Sequence, residues 1–426
     1  MKKPQSLPWS EPLDIAARID AAGGDFVLLY SGLRASYSGR YSLLAFGPAE
    51  KISADDFTAL SQKLTDNRGK WENAWFGYLG YGLKHAVEDL PQDAPGWLRL
   101  PALCMMRFAT VLLFDHEQHT LEAYGDATIP ATQPAAPPPV RVAHIRSNMT
   151  ADEYRAHAAT IIKRIEAGQL YQANLTRKFM GEFEAPPASF AMFRELCRIS
   201  PAAYSSFLKM GDSCVLSSSP ELFLRISPEG HITARPIKGT SPRSADAAQD
   251  AANRQLLENS EKDKAENLMI VDLMRNDLAR ASQPGSVKTE ALFEITSHST
   301  VHHMSSTIVA RKRPGCTTLQ AIAGAFPPGS MTGAPKIMAM QLCTQLEKLE
   351  RGIYSGAIGW LGGDGSAELS VVIRTLIIQG KNFEFQVGGG IVADSTPEKE
   401  LQETIDKAQG ILKLLGISSD IFCAMQ

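Results

Sequence analysis

Strand-like segments joined mostly by turns constrain the fold of this chain more than any other feature of its sequence. Residues 26–30, 41–46 and 109–114 are short runs of aliphatic, β-branched and aromatic side chains, which are typical of strands. Similar runs follow in the second half, at 214–217, 356–360, 371–378 and 383–387. Because short turns join antiparallel neighbours, the sequence predicts an α+β protein with large antiparallel sheets and helices packed outside.

Four segments have the spacing of amphipathic helices. The first begins with a capping box formed by Thr150 and Glu153. The other three are predicted over 261–278, 335–349 and 396–416. They are too few to alternate with the strands, which again favours antiparallel sheets over a parallel one.

A proline-rich stretch divides the chain. It predicts an extended surface linker over 131–144. The linker separates an N-terminal region, residues 1–130, from a larger domain over 145–420. We expect the N-terminal region to be intertwined with the core of the larger domain.

Composition excludes several classes of function. The 426 residues carry a net charge of −3, so no overall attraction to nucleic acid or to an anionic membrane is expected. No apolar stretch reaches the roughly 20 residues that span a bilayer, and the first residues lack the apolar core of a signal peptide. The cysteines form no CxxC pair and no cluster with histidine, which predicts reduced thiols, no zinc and a cytoplasmic location. They are Cys104, Cys197, Cys214, Cys316, Cys343 and Cys423.

A lysine in the segment Arg235-Pro-Ile-Lys-Gly-Thr240 is the first candidate catalytic residue. We interpret this segment as a short turn, in which Gly239 lets the backbone approach a ligand. Lys238, shielded there from water, can lose its proton and become a nucleophile, although most lysines are solvated surface groups. Glu221 precedes it across a predicted hairpin and is either brought into the same pocket or is a turn carboxylate.

Paired carboxylates recur on two of the predicted helices. Asp263 and Glu266 are three residues apart, and Glu400 and Glu403 have the same spacing, so each pair shares a helix face. Carboxylate oxygens are ligands that Mg²⁺ prefers, and the two helices together can hold one ion. The other interpretation of each pair is a solvated acidic face.

Glycines 388–390 follow a predicted strand and match a loose dinucleotide-binding fingerprint. We reject that interpretation because the next helix begins only near residue 397. Gly388, Gly389 and Gly390 are instead predicted to form a turn whose N–H groups bind a carboxylate. The loop 328–336 leads into a helix whose N-terminus favours an anion, and it contains Thr332. For either loop, a purely structural turn is the alternative.

Arg374 lies within the apolar run 371–378, where a charge needs a partner. Its planar fork suits a ligand carboxylate or a protein carboxylate, and the sequence leaves both open. Tyr354 either donates a second hydrogen bond there or is a core tyrosine.

Seven blocks of the sequence, in the same order, closely resemble those of the chorismate-utilising enzymes: anthranilate synthase component I, aminodeoxychorismate synthase component I, isochorismate synthase and salicylate synthase. The resemblance covers about 145–415 closely and the first 130 residues more loosely. It implies a β-sandwich core like that of anthranilate synthase component I. The blocks are 171–175, 218–221, 235–240, 270–277, 328–336, 354–356 and 388–395.

The resemblance also implies roles for the site residues. A Mg²⁺ is expected near Glu266 and Glu403, supported by Glu400 and Asp263, where it takes the ring carboxylate of chorismate. The enolpyruvyl carboxylate is expected to bind Arg374, Tyr354 and the glycine turn. The full set of residues expected to bind the substrate is Gln172, Gly239, Thr240, Thr332, Tyr354, Arg374, Gly388, Gly389 and Gly390. Glu221 is expected to protonate the departing ring hydroxyl, and His303 to lie near the substrate.

Two positions separate the branches of the family. Gln172 stands where isochorismate and salicylate synthases have a lysine base, and an amide cannot activate water. Lys238 stands where anthranilate synthases have alanine, and lysine there is the mark of aminodeoxychorismate synthase component I. By resemblance, Lys238 attacks the ring at C2 as the C4 hydroxyl leaves, and ammonia then expels it.

The expected product is 4-amino-4-deoxychorismate, a precursor of p-aminobenzoate and folate. The chain has no amidotransferase region, so a glutamine amidotransferase partner is expected to supply ammonia. Anthranilate synthase component I and a non-catalytic chorismate-binding paralogue remain the alternatives.

Overall fold

Most of the chain is described by a computed structural model, which covers residues 4–33, 37–64, 69–126, 128–298 and 301–418. Cys423 lies outside the described residues, and the other five cysteines are buried and unpaired. The expectation of reduced thiols is consistent with these five.

Strands dominate the secondary structure. The strands are β1 (Gln5–Leu7), β2 (Phe26–Tyr30), β3 (Tyr41–Ala54), β4 (Trp75–Leu79), β5 (Leu103–Asp115), β6 (Thr120–Gly125), β7 (Val142–Ser147), β8 (Gln172–Phe183), β9 (Tyr204–Met210), β10 (Ser213–Ser219), β11 (Leu222–Ile226), β12 (His231–Arg235), β13 (Ile237–Pro242), β14 (Lys288–Ser297), β15 (Val301–Arg311), β16 (Gly333–Ala334), β17 (Ala357–Leu361), β18 (Ala367–Val371), β19 (Thr375–Gln379) and β20 (Asn382–Ile391). The helices are α1 (Pro12–Ala22), α2 (Thr58–Lys63), α3 (Ala151–Glu166), α4 (Ser189–Ile199), α5 (Ala247–Glu258), α6 (Glu261–Ala279), α7 (Thr318–Ala325), α8 (Lys336–Glu347) and α9 (Pro397–Leu415), with short 3₁₀ helices at Tyr81–Ala86 and Gly329–Met331.

The fold class predicted from the sequence is confirmed. All pairings between the described strands are antiparallel, and they join the strands into one continuous network. Strand residues such as Val27, Phe76, Met106, Leu208 and Ile358 face one another in a cluster without helices. This cluster is the interior of a sandwich, where two sheet faces bury their alternate side chains together.

Helices cover the outer faces of the sheets. Helices α1, α4 and α9 bury their apolar sides against one face, while α6 and α7 pack on another. The capping box predicted at the start of α3 is present, because the Thr150 hydroxyl accepts from the Glu153 N–H and the Glu153 carboxylate accepts from the Thr150 N–H. The predicted hairpin before Lys238 is also confirmed, since β11 pairs with β12.

The N-terminal region shares its sheets with the rest of the chain. Strand β2 pairs with β9, and β4 pairs with β17, so the two regions are intertwined through backbone hydrogen bonds. The predicted linker was three residues too long, because 142–144 belong to β7, which pairs with β8. The remaining linker residues, 131–141, are largely exposed and have no regular secondary structure.

The run 371–378 is not one strand, contrary to the prediction. Strand β18 ends at Val371 and β19 begins at Thr375, and Arg374 between them has a left-handed backbone with φ of 51°. Apolar composition predicted a continuous strand here, but a non-glycine residue in this conformation breaks the ladder. The break turns Arg374 out of the sheet.

One buried ion pair ties three segments of the core together. Arg351 donates two hydrogen bonds to the Glu347 carboxylate, at 2.9 and 2.7 Å, in the fork geometry that strengthens such pairs. It also donates to the backbone carbonyls of Met331 and Asn174, both at 2.7 Å. Glu347 in turn accepts from the N–H of Thr176, so the pair fixes β8 against α8.

No described helix combines the length and apolarity that crossing a membrane requires. The cytoplasmic location expected from the sequence stays a prediction.

Removal of the Arg351 side chain tests how much this buried ion pair stabilises the fold. We expect Arg351→Met to lower the free energy of unfolding by about 3–5 kcal/mol, because Glu347 and two carbonyls lose their partner. Arg198→Met is the matched control, since Arg198 forms a similar two-bond pair with Glu195 on the surface and its loss costs about 1 kcal/mol or less. Urea unfolding of the three proteins measures both; equal losses would contradict a core role for Arg351.

Candidate active site

Lys238 lies in strand β13 and not in the turn that the sequence predicted. Ile237 pairs with Ser305 and Thr240 with His303, and the ladder with β15 bulges between them. The bulge places Gly239 at φ of +88°, and a Cβ there would lie 3.1 Å from the side chain of Asp263. Glycine is therefore required for the close packing of β13 against α6.

The predicted glycine turn is wrong, because Gly388, Gly389 and Gly390 lie in β20 and pair with β8. Their importance is the missing side chain and not a turn geometry. A Cβ on Gly390 would lie 3.1 Å from Nζ of Lys238 and closer still to Nε2 of Gln172. A Cβ on Gly389 would lie 2.8 Å from Oε2 of Glu400. The glycines make room for the functional side chains.

Glu221 is buried on the wall of this site and is 5% exposed. Burial raises the pKa of its carboxyl to about 7, although a hydrogen bond from Ser330 and the charge of Lys238 act in the opposite direction. The N–H of Ile237 also donates to it. Both the protonated and the ionised form of Glu221 are therefore populated near neutral pH, as a general acid requires.

The Lys238 amine is enclosed by the same groups. Burial lowers the pKa of Lys238, and the charge of Lys407 acts in the same direction. The carboxylates of Glu266, Glu221 and Glu403 oppose this shift without reversing it. A larger fraction of the amine is therefore neutral than in a surface lysine, as a nucleophile requires.

The carboxylates predicted to hold Mg²⁺ meet from two helices. Burial raises the pKa values of both Glu266 and Glu400, and the charge of Glu403 raises each further. Oε1 of Glu400 accepts a 2.6 Å hydrogen bond from Ser395, whereas its Oε2 is buried and has no hydrogen-bond partner among the residues that the structure describes. An unpartnered, buried carboxylate oxygen among like charges is what a cation would satisfy.

Glu403 is held by a lysine. Burial acts to raise its pKa, but the ion pair with Lys407, at 2.6 Å, outweighs burial and the pKa is lowered. In the described ranges, no three acidic, histidine or cysteine side chains form a ready metal-ligand set. The all-oxygen donors still fit a magnesium ion, with water completing its shell.

Arg374 is half-buried and forms no ion pair with a carboxylate of the described residues. Burial lowers its pKa, with only Glu221 opposing. This favours the ligand interpretation of Arg374 over the protein salt bridge. His303 is 3% exposed, and neither ring nitrogen has a partner in the described part of the chain. Burial, followed by the charge of Arg374, lowers its pKa to about 3, so its ring is neutral.

Three of the residues predicted to bind the substrate lie in different surroundings. Tyr354 is buried in an apolar cluster, its pKa is raised by burial, and the charged groups that affect that pKa are Arg351 and Glu347. This agrees with the core interpretation that the sequence left open. Thr332 is buried and donates to the carbonyl of Gly329. Thr240 is exposed beside His303.

Two site residues were missed at the level of sequence. Ser330 lies in the loop 328–336, where nothing in the local sequence distinguishes a functional serine from a structural one. Lys407 follows Glu403 by four residues, a spacing that predicts an ion pair on a helix and was the available signal.

Comparison with known proteins gives a consistent result. The family model described as chorismate binding enzyme matches residues 27–413. Aminodeoxychorismate synthase component 1 of Klebsiella aerogenes is 40% identical over 347 residues, which are 80% of this chain and 76% of that relative. Aminodeoxychorismate synthase of Streptomyces griseus is 39% identical over 80% of this chain, and this chain spans about half, 50%, of its length.

A solved structure extends the likeness to the fold. Anthranilate synthase component I from Streptococcus pneumoniae TIGR4 superposes with a TM-score of 0.77 at 27% identity, covering 88% of this chain and 93% of the other. The β-sandwich expected from the resemblance agrees with this likeness.

Substitution of Gly390 tests whether its missing side chain keeps the site open. We expect Gly390→Ala to lower kcat/KM by about 100-fold, because its Cβ displaces the ends of Lys238 and Gln172. Gly410→Ala is the control, since a Cβ there meets only Ser200, at an ordinary 3.6 Å. Circular dichroism checks the fold of both variants, and full activity in Gly390→Ala would contradict this geometry.

Proposed function

The chain belongs to the chorismate binding enzyme family, and from this premise we propose that it is component I of an aminodeoxychorismate synthase. It converts chorismate and ammonia into 4-amino-4-deoxychorismate and water, in the branch that leads to p-aminobenzoate and folate. A glutamine amidotransferase partner supplies the ammonia. The observation that carries the proposal is the half-buried Lys238, whose pKa burial lowers, beside the buried acid Glu221.

The proposed reaction uses these two groups in turn. Nζ of Lys238 attacks C2 of the ring, the two conjugated ring double bonds both shift around the far side of the ring, and the bond from C4 to its hydroxyl breaks. Glu221 donates a proton to that hydroxyl, which leaves as water, and then accepts a proton from the alkylated amine. Ammonia attacks C4, both double bonds shift back, and the bond between C2 and Nζ breaks as Glu221 returns a proton to the amine. The ammonium formed at C4 then gives a proton to Glu221, which restores the acid.

The surrounding residues support binding of a dianion. Arg374, which has no carboxylate partner among the described residues, receives the enolpyruvyl carboxylate, and the neutral His303 offers a hydrogen bond beside it. Glu266, Glu400 and Glu403 would hold a Mg²⁺, which supplies positive charge for the ring carboxylate when it is bound. Asp263 supports this group from the N-terminal end of α6.

Gln172 favours ammonia over water as the second nucleophile. Gln172 is 1% exposed, and its Oε1 has no hydrogen-bond partner within the described ranges. An amide is not basic enough to deprotonate water, whereas free ammonia needs no base to attack. This supports amination of the ring over hydroxylation.

Anthranilate synthase component I is the main alternative. The two aminodeoxychorismate synthases are 39% and 40% identical to this chain, and the anthranilate synthase structure is 27% identical. Lys238 also fills the space that an alanine leaves open in that branch. The reaction product distinguishes the two.

The proposal predicts a specific product and a covalent intermediate. With chorismate, Mg²⁺ and ammonium at raised pH, we expect the protein to release 4-amino-4-deoxychorismate, identified by chromatography. Without ammonium, intact mass spectrometry should detect an adduct on Lys238. Lys238→Ala should form no adduct and lose at least about 100-fold in rate, because the nucleophile is missing.

Lys209→Ala serves as the control, since Lys209 pairs with Asp20 far from this chemistry in sequence and fold. Anthranilate as the sole product would reject the proposal in favour of the alternative. Absence of turnover, with chorismate still bound, would favour a non-catalytic paralogue.

The pH dependence should report Glu221. Its pKa is raised to about 7, so the protonated acid prevails below that pH and is lost above it. We expect kcat/KM to fall as pH rises through about 7, and Glu221→Gln to lower the rate and remove this limb of the profile. Assays at a constant concentration of free ammonia separate this fall in kcat/KM from the ionisation of ammonium. If Glu221→Gln shows the same fall, the ionisation belongs to another group.

A further inference from the structure

Lys407 occupies an unusual position at the edge of the carboxylate group. It lies on α9 one turn after Glu403, and its Nζ is 2.6 Å from Oε1 of Glu403. The same ammonium donates a 2.8 Å hydrogen bond to the backbone carbonyl of Gly388. One lysine therefore joins the helix that carries two candidate metal ligands to strand β20.

The carboxylates around Lys407 repel one another. The negative charge of Glu403 raises the pKa values of Glu266 and Glu400, which shows that the three share one electrostatic environment. The positive charge of Lys407 opposes this repulsion, and among the neighbouring charges it lowers the pKa of Glu403 most. Lys262, 3.7 Å from Glu266, and Lys238 also act on these carboxylates, but neither is as closely paired as Lys407. The group is thus held together by lysine charges when it contains no metal ion.

The ion pair of Lys407 is open to exchange. The side chains of Lys407 and Glu403 are each 46% exposed, so water reaches both. Pairs this exposed are weak, because solvent screens the charges and offers each an alternative partner. A divalent cation that gathers several carboxylates therefore has the advantage over a single ammonium for Glu403.

We propose that Lys407 is a placeholder cation, which neutralises Glu403 until a divalent cation binds and then yields that carboxylate to the metal. This rests on the proposed function, since it takes Mg²⁺ to bind at Glu266, Glu400 and Glu403. The two cations compete because a metal on Glu403 repels an ammonium a few ångströms away. The hydrogen bond to Gly388 keeps Lys407 beside the site after the exchange.

Two consequences follow for the metal site. The carboxylates stay gathered without metal, so binding does not require α9 to be reordered. The affinity for Mg²⁺ is lowered by the competition, which makes the site sensitive to the free concentration of the ion. An ordinary Glu–Lys pair on a helix surface has neither effect, because its lysine contacts nothing beyond the helix.

Calorimetric titration with Mg²⁺ alone, without substrate, tests the proposal on the whole chain. Lys407→Met removes the competing ammonium and should tighten Mg²⁺ binding by about threefold or more. Lys407→Arg keeps the charge and adds a second hydrogen bond to Glu403, so it should bind Mg²⁺ no more tightly than the wild type. Lys399→Met is the matched control, since the exposed Lys399 precedes Glu400 on α9 and should alter the affinity by less than about twofold.

A second measurement protects the test against unfolding of a variant. Thermal unfolding with and without Mg²⁺ should show a larger stabilisation by the ion in Lys407→Met than in the wild type, and each metal-free baseline shows whether the variant folds. Equal or weaker Mg²⁺ binding by a folded Lys407→Met protein would overturn the proposal, as would an equal gain in Lys399→Met. The product assay above is independent of this result, so its failure and that of the placeholder role are distinguishable.

Discussion

Burial of charge in one confined space is the constraint on which the rest of this structure depends. Glu221 is buried and Lys238 is half-buried, and for both groups burial favours the neutral form over the charged one. A neutral amine and a protonated carboxyl are what nucleophilic attack and departure of a hydroxyl need. The surrounding carboxylates limit how far the pKa of the Lys238 amine is lowered. The fraction of neutral amine therefore depends on the cations near α9 as well as on the burial of the lysine.

The antiparallel sheets make this crowding feasible. They bring β8, β13 and β20 together although these strands are far apart in sequence, and helices α6 and α9 supply the acids from outside. Space comes from Gly389 and Gly390, where polar side chains occupy the volume that a Cβ would fill. The functional side chains therefore lie against glycine positions of a sheet strand.

The sequence predicted much of this arrangement. Periodicity and capping gave α3, α6 and α9, and strand composition gave β2 and the β11–β12 hairpin. The glycine segment was misinterpreted as a turn, because glycine in a strand signals close approach as often as a bend, and only a neighbour such as Gln172 decides which. The break at Arg374 was missed because composition does not reveal a local φ. Ser330 acts on Glu221, which is remote in sequence, so no local pattern specifies that contact. The spacing of Lys407 from Glu403 predicts their ion pair but not the hydrogen bond to Gly388.

The interleaving of the N-terminal region has a consequence for how the molecule is made. Strand β4 pairs with β17, so the hydrogen bonds between residues near position 77 and residues near position 359 form only after the later segment has been synthesised. Pairings this distant along the chain slow folding, because loop-closure entropy must be overcome before the contacts form. On the ribosome, the first hundred residues emerge with unpaired strand edges long before their partners are synthesised. Those edges are the part of the nascent chain that most needs shielding by chaperones against aggregation.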